Sequence, residues 1–493
     1  MNQKSLFLVI VILSGLLLVL LHGPFLHADP DYHVSGSRGA NTDEGLNSFQ
    51  IRNYVNHHDL TFRKSDNFVK TPLFGAFLFV PFRIFGTKWV IGRLTILLSS
   101  IILCFFVFGH NRYYASLGII SILVVFLEYY IFHFTHYCLP EVLSTALIFI
   151  SIFICTETGE STSVLRSSLL AATFISAAYY MKIQFLYAVV ILPMILVLLI
   201  LISKQSSVVL MKQLKYTLMF LAAYLALYLL LWYLPNREFF DYVMKDQTAG
   251  RFVAWSELRD HLDFIFDTVF YNNYLKLFTY SFYALFGAGI ILFFTLKRQR
   301  FHYLFMGFSC WLLIESHKLS MTYLPTRYLI SLFFPMGLLI SLVLWELIRM
   351  EGRGRIKYVI RLGSMLVLLL LGVINVKHYA ESLRGRTAKI RETNQYLAQY
   401  EFDDRPILGS WAPSLSWDCK AITFPVWNNY FNDQDVLENY HPAIIVSEPG
   451  EEESNQAFLS RGMDIDSCAD SIRTLTINRW DLKILWIKAE EEW

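Results

Sequence analysis

Residues 185–202 read FLYAVVILPMILVLLILI, eighteen positions without one charge. A helix of that composition has no polar face to turn to water, and crossing a hydrocarbon core of about 30 Å takes roughly 20 helical residues. The same ruler moved along the chain finds about eleven such stretches, near 5–27, 88–108, 113–132, 142–157, 167–181, 185–202, 214–234, 276–296, 301–316, 328–348 and 357–376. The 493 residues are 55% hydrophobic and 17% charged, against about 45–50% and about 25% in a soluble domain. The chain therefore reads as a polytopic α-helical membrane protein. Cytosolic enzymes, disordered chains, collagens and disulfide scaffolds are excluded together.

The net charge of +2 leaves no basic domain for a nucleic acid. Six cysteines without a C-x-x-C pair argue against zinc, although Cys419 and Cys468 share a polar tail where a disulfide is conceivable. The run Leu6–Leu21 is long for a signal-peptide core, and Leu26-His27-Ala28 is a poor cleavage site, so the first span is expected to be uncleaved. Segment 72–86 is apolar but interrupted by Pro72, Pro81 and Arg83, which predicts a helix in the interface rather than a span.

Orientation follows from Lys and Arg in short loops. With the N-terminus inside, fourteen lie on the inner side (among them Arg112, Arg166, Lys212, Arg298 and Arg349), and only Lys182, Lys318 and Arg327 lie outside. An odd number of spans then puts the tail outside, which in a bacterium is the periplasmic face of the inner membrane. The predicted domains are a transmembrane unit, 1–376, with a long first outer loop, 28–87, and a small extracytoplasmic α/β domain, 377–493. In the tail, strand-like runs fall at 407–409, 443–446, 475–477 and 484–488, with a helical stretch at 434–440. Trp411 and Trp417 are either core or sugar contacts. The tail is expected to rest over the outer cavity and to serve acceptor choice rather than the chemical step.

After Asp43-Glu44 the first outer loop has apolar residues at 46, 49, 51, 54 and 55, the pattern of an amphipathic helix lying on the membrane with Thr42 or Asp43 as N-cap. Asp43 is then either a cap or a carboxylate held where a lipid-linked head group sits. Lys70-Thr71-Pro72-Leu73-Phe74 follows, and the next apolar stretch ends Arg83-Ile84-Phe85-Gly86. Pro140-Glu141 sits in the second outer loop, and Lys318 leads to Tyr323-Leu324-Pro325-Thr326-Arg327-Tyr328 before a late span. In order and on one side of the membrane, these segments resemble the C-type (GT-C) glycosyltransferases, in particular the branch of aminoarabinose transferases and protein O-mannosyltransferases. Lys70 is followed by Thr-Pro where those relatives have Pro-Pro, and Glu141 stands where Asp is common.

The resemblance implies a GT-C-like fold and inverting transfer of a sugar from a polyprenyl-phosphate donor to a lipid, glycan or protein acceptor. Such a reaction needs a carboxylate to take the acceptor's proton and cations to hold the leaving phosphate. The resemblance assigns the first task to Asp43, with Glu44 the second acid of the catalytic pair and Glu141 an orienting partner or a ligand of a divalent metal ion. The second falls to Lys70 and Arg327, with Lys318, His317 and Lys182 in support. The bland alternatives are interface anchoring for Lys70, Arg327 and Lys182 and helix capping for Glu141. A lipid or sugar transporter and a non-catalytic assembly subunit share the topology. A transporter should show inverted repeats and helices broken at mid-membrane, and no internal repeat is visible.

Overall fold

The computed structural model describes residues 3–60, 67–110, 112–157, 163–202, 207–241, 251–350, 354–402, 405–428 and 440–488. Among them, seven helices are long and apolar enough to cross a membrane, and a bent pair, Tyr113–Phe126 with Tyr129–Thr135, makes an eighth. The other expected spans fall on the helices Gln3–His22, Pro140–Thr156 and Gln299–Glu315, of 20, 17 and 17 residues. The interruption near Pro72 and Pro81 gives a helix of its own, Pro72–Phe85. The last span continues as one helix from Arg355 to Gly385.

Burial ranks the spans. Of the seven long helices, Thr326–Ile348 has a window 89% buried while the other six are half buried or less, and the shorter Pro140–Thr156 helix is buried along nearly its whole length. The central Thr326–Ile348 helix is apolar on all sides because it is surrounded by protein rather than by lipid. Its N-terminal turn carries Arg327, and the neighbouring Pro140–Thr156 helix carries Glu141 in its own first turn. Pro140 at the first helical position donates no hydrogen bond that the helix needs, and an acid there meets the positive end of the helix dipole.

The tail forms a five-stranded mixed sheet in the order β2-β1-β3-β5-β4. The strands are β1, Ile407–Leu408; β2, Thr423–Phe424; β3, Ile444–Ser447; β4, Ala469–Ile477; and β5, Trp480–Ile487. Strand β1 is parallel to β2 and β3, while β5 is antiparallel to both β3 and β4. Strands β1 and β3 are buried on both faces, hence the continuous apolar runs. Strand β2 was not foreseen, and the helix expected at 434–440 lies outside the described residues except for Tyr440. Cys419 and Cys468 are both free thiols. Trp411 and Trp417 are core residues, 0% and 2% exposed.

The first long loop departs from expectation. Its helix runs Gly39–His57, so Asp43 lies a full turn inside rather than at the cap. Nor does this helix lie on an open surface. It is buried along most of its length, from Gly39 to Asn53, between the Pro72–Phe85 helix and the short Ala412–Leu415 turn of the tail. A Cβ on Gly45 would stand 2.5 Å from Pro413 C and Ser414 N. The contact is continued by Ser414 Oγ donating to Thr42 O at 3.0 Å, by Asn53 Nδ2 donating to Thr423 O at 3.0 Å, and by the Arg52 guanidinium 4.1 Å over the Trp417 ring. An amphipathic pattern only states that one face is buried; here the tail rather than lipid covers it.

Candidate active site

A cavity of about 700 Å³ lies where the bundle meets the sheet domain, and Asp43, Lys70, Lys182 and Arg327 all line it. Four charged groups make a chain there, Asp43, Lys182 and Arg327 in the cavity lining and Glu141 buried behind them. Arg327 Nη1 is 2.8 Å from Asp43 Oδ2, and Arg327 Nε is 3.6 Å from Glu141 Oε1. Lys182 Nζ donates to the same Glu141 oxygen at 2.6 Å. One guanidinium thus ties together acids that are 98 positions apart in sequence (141 less 43), meeting each with a different nitrogen of its planar fork.

The backbone makes room for this arrangement. Gly39 sits one helical turn before Asp43, and a Cβ there would stand 2.6 Å from Arg327 Nη1 and 2.9 Å from Asp43 Oδ2. Lys182 is the extended residue at which the Val164–Met181 helix stops, so its side chain turns back toward Glu141. Burial pushes the Asp43 carboxyl above the ordinary carboxylate range. Arg327 and Lys182 oppose this and Glu141 reinforces it. A carboxylate so tuned is better matched to proton transfer near neutral pH than an exposed one.

Three of the expected site residues are elsewhere. Glu44 is one position, about 100°, around the helix from Asp43 and points into the protein. It is 2% exposed, and it accepts from Arg93 Nη2 at 2.6 Å, Arg93 Nε at 2.9 Å, Trp89 Nε1 at 3.1 Å and the Cys138 backbone N–H at 2.6 Å. Lys318 is buried below the cavity, donating to Glu315 at 2.8 Å and to Ser331 Oγ at 2.6 Å. His317 is exposed, with Nδ1 2.6 Å from Ile314 O and its ring against Tyr187. Neither lines the cavity.

Two further acids of the first loop, Asp29 and Asp31, do not line this cavity. Asp29 accepts from the backbone N–H of Lys389 and Ile390 and from Thr387 Oγ1, thereby capping the Lys389–Leu397 helix from outside. Asp31 accepts from Tyr129 Oη at 2.6 Å and faces a separate cavity of about 550 Å³.

The cavity also has walls that the motifs did not indicate. Arg251 lines it from the segment that pairs with Thr322, and Trp427, Glu448, Glu453 and Trp480 line it from the sheet domain. Among the described residues, no group of three or more His, Cys, Asp or Glu side chains is arranged to hold a metal. Arg327 and Lys182 already neutralise the Asp43 and Glu141 carboxylates, so this donor set does not suit a divalent cation.

Over 96% of its length the chain superposes on ArnT from Cupriavidus metallidurans, solved bound to undecaprenyl phosphate, with a TM-score of 0.61 and 13% identity over 97% of that chain. The apo form of ArnT matches equally well. The chain has the GT-C fold. The archaeal oligosaccharyltransferase AglB from Archaeoglobus fulgidus, in complex with an inhibitory peptide and a dolichol-phosphate, shares it at a TM-score of 0.51 and 10% identity, over 99% of this chain and 75% of that one. No protein-family model and no curated protein matches the sequence. The GT-C architecture is thus retained at identities where side chains have been almost wholly replaced, and the site must be argued from this chain's own residues.

Proposed function

We propose that the protein is a membrane glycosyltransferase that moves a sugar, with inversion, from a polyprenyl-phosphate donor to an extracytoplasmic lipid, glycan or protein acceptor. One observation carries the reading. A partly buried carboxylate with a raised pKa, Asp43, shares a cavity at the end of a membrane bundle with five cationic side chains, Arg38, Lys70, Lys182, Arg251 and Arg327. Asp43 and Glu141 hold Arg327 and Lys182 in place, and Lys70 and Arg251 set a further ammonium and guanidinium in the cavity lining. That is the complement of a lipid phosphate.

The chemistry divides as follows. The acceptor oxygen forms its bond to the anomeric carbon while the bond from that carbon to the phosphate oxygen breaks, and its electron pair leaves with the phosphate. The acceptor's proton passes to Asp43. Lys70 and Arg251 hold the phosphate as its charge grows, and Arg327 fixes Asp43 in position to take the proton. Glu141 holds Arg327 and Lys182 in place. No step is routed through a metal. The ArnT and AglB structures were solved with undecaprenyl phosphate and dolichol-phosphate, which supports a lipid phosphate as the ligand of this cavity too.

The deciding test incubates purified protein with a panel of polyprenyl-phosphate sugars and follows release of the lipid phosphate. Turnover of at least one donor that is lost in Asp43→Asn supports the reading; no turnover of any, with or without candidate acceptors, refutes it. Orientation is tested by placing a cysteine at exposed Glu452 in a Cys468→Ser background. Labelling from outside only is expected, and labelling from the cytoplasmic side reverses the placement of the cavity.

A further inference from the structure

The cavity has two unlike walls. The bundle and its loops supply the cations, whereas the sheet domain supplies indole rings and carboxylates: Trp427, Trp480, Glu448 and Glu453. Carboxylates repel a phosphate, and a charged wall does not suit a polyprenyl chain. A sugar ring fits both features, because one face of it is C–H surface that lies on an aromatic plane and its rim is hydroxyl donors that carboxylates accept. The sugar of a lipid-linked donor is separated from phosphorus by a single oxygen. A phosphate at the cationic wall therefore puts its sugar in this same cavity.

We infer that the sheet domain is the sugar-recognition surface, with Trp427 and Trp480 as ring platforms and Glu448 and Glu453 as acceptors for the sugar's hydroxyl or amino groups. The inference rests on the transferase reading above and deepens it.

The wall is built in advance of any ligand. Trp427 Nε1 donates to Glu451 Oε1 at 3.1 Å, and Glu451 is paired with Arg38 of the first loop, so that indole is fixed. Glu448 accepts from Trp411 Nε1 at 2.7 Å, and its carboxylate is 3.5 Å from Arg38. Trp480 opens β5 directly after the Asn478-Arg479 turn. There Asn478 takes a positive φ of 54°, which Asn tolerates, and donates to Pro30 O and to the Asn41 side chain. The hairpin tip is thereby keyed into the loop that leads to Asp43, and Trp480 is set against the cavity. Glu453 stands in the first turn of the Glu452–Leu459 helix, and its own carbonyl accepts from Asn428 N, next to Trp427. The fold uses Trp427 and Glu448 heavily. Half-buried Trp480 and exposed Glu453 are needed far less by the packing, which makes them the informative positions.

The test measures binding of purified full-length protein to bare undecaprenyl phosphate and to undecaprenyl phosphate bearing glucose, mannose or an amino sugar. Trp480→Ala and Glu453→Gln should leave the affinity for the bare lipid phosphate within about twofold. Each should cut the extra affinity contributed by the preferred sugar about tenfold and flatten the preference among sugars, since a charge-assisted hydrogen bond or a buried aromatic contact is of that order. Lys70→Ala should weaken bare and glycosylated lipids alike. If both sheet-domain variants keep the wild-type sugar preference, or lose the bare phosphate as strongly as the sugar, the wall is not the recognition surface. If the wild-type protein binds no undecaprenyl phosphate at all, the transferase reading itself fails and takes this inference with it, a result distinct from the previous one.

Discussion

Two neighbouring acids on one helix, Asp43 and Glu44, each meet an arginine, and the two pairs differ in almost everything else. Glu44 and Arg93 are 2% and 0% exposed in their side chains, and they share their remaining hydrogen bonds with Trp89, with the Cys138 backbone and with the carbonyls of Phe25 and Ala28. Asp43 and Arg327 keep 14% and 9% exposure and border a cavity, and Asp43 Oδ2 makes no well-aligned hydrogen bond among the described residues. One pair is saturated and closed; the other retains capacity for a ligand. Removing a member of the first leaves a buried charge alone, while removing a member of the second leaves a cavity with the wrong chemistry.

The comparison is broken most directly by Asp43→Asn. Transfer is expected to fall about 10²- to 10⁴-fold, the range for a positioned general base, with unchanged thermal unfolding in detergent. Activity within about threefold of wild type removes Asp43 from the role of base. Glu44→Ala should do the opposite. Loss of a partner from a buried pair costs about 3–5 kcal/mol, so the unfolding midpoint and the yield of monodisperse protein should drop, while the molecules that fold still turn over. A stable but inactive Glu44→Ala variant means that the two acids act as one catalytic unit.

Smaller effects sharpen the picture. Lys70→Ala should raise the KM for donor about tenfold, roughly 1.4 kcal/mol, with little change for acceptor. Arg327→Ala should lower kcat as well, since Asp43 and Glu141 both lose their bridge. Equal losses for donor and acceptor in Lys70→Ala point to a packing role. The smallest expected signal is in the pH profile. Asp43 works ionised and its pKa is raised, so the acid limb of the rate should lie above the usual carboxylate value of about 4. Lys182→Met removes a charge that favours the ionised form, so it should move that limb further up. A limb at or below pH 4, or no movement in the variant, contradicts the assignment.

Much of the fold was legible because apolar runs need no partner to be read; the expected spans fall on helical segments, that at 113–132 on a pair bent by 94°. The site was legible only in part. Asp43, Lys70, Glu141, Lys182 and Arg327 gather at the bundle end, but nearness to a motif says nothing about which way a side chain faces. Glu44 adjoins Asp43 but faces Arg93, and His317 and Lys318 lie outside the cavity lining. Arg93 carried a signal that went unread: a lone arginine inside the apolar run Trp89–Phe108 demands a counter-charge, and Glu44 is that partner. Strand β2 is two residues long and pairs only through the fold, so no periodicity announces it. The sheet-domain wall was missed because Trp411 and Trp417 drew attention as a cluster, whereas Trp427 and Trp480 are joined only by tertiary structure.

The seat of Gly45 against Pro413 and Ser414 has a consequence for how the protein is made. Thr42 and Ser414, which are hydrogen-bonded, lie 372 residues apart. At about 5–20 residues per second, the helix bearing Asp43 emerges on the order of half a minute before the segment that covers it. Until then the bundle can be inserted but the cavity lacks a wall, and the acid is open to water. The closed cavity is therefore completed last, after every span is in place, and a nascent or truncated chain has no closed compartment.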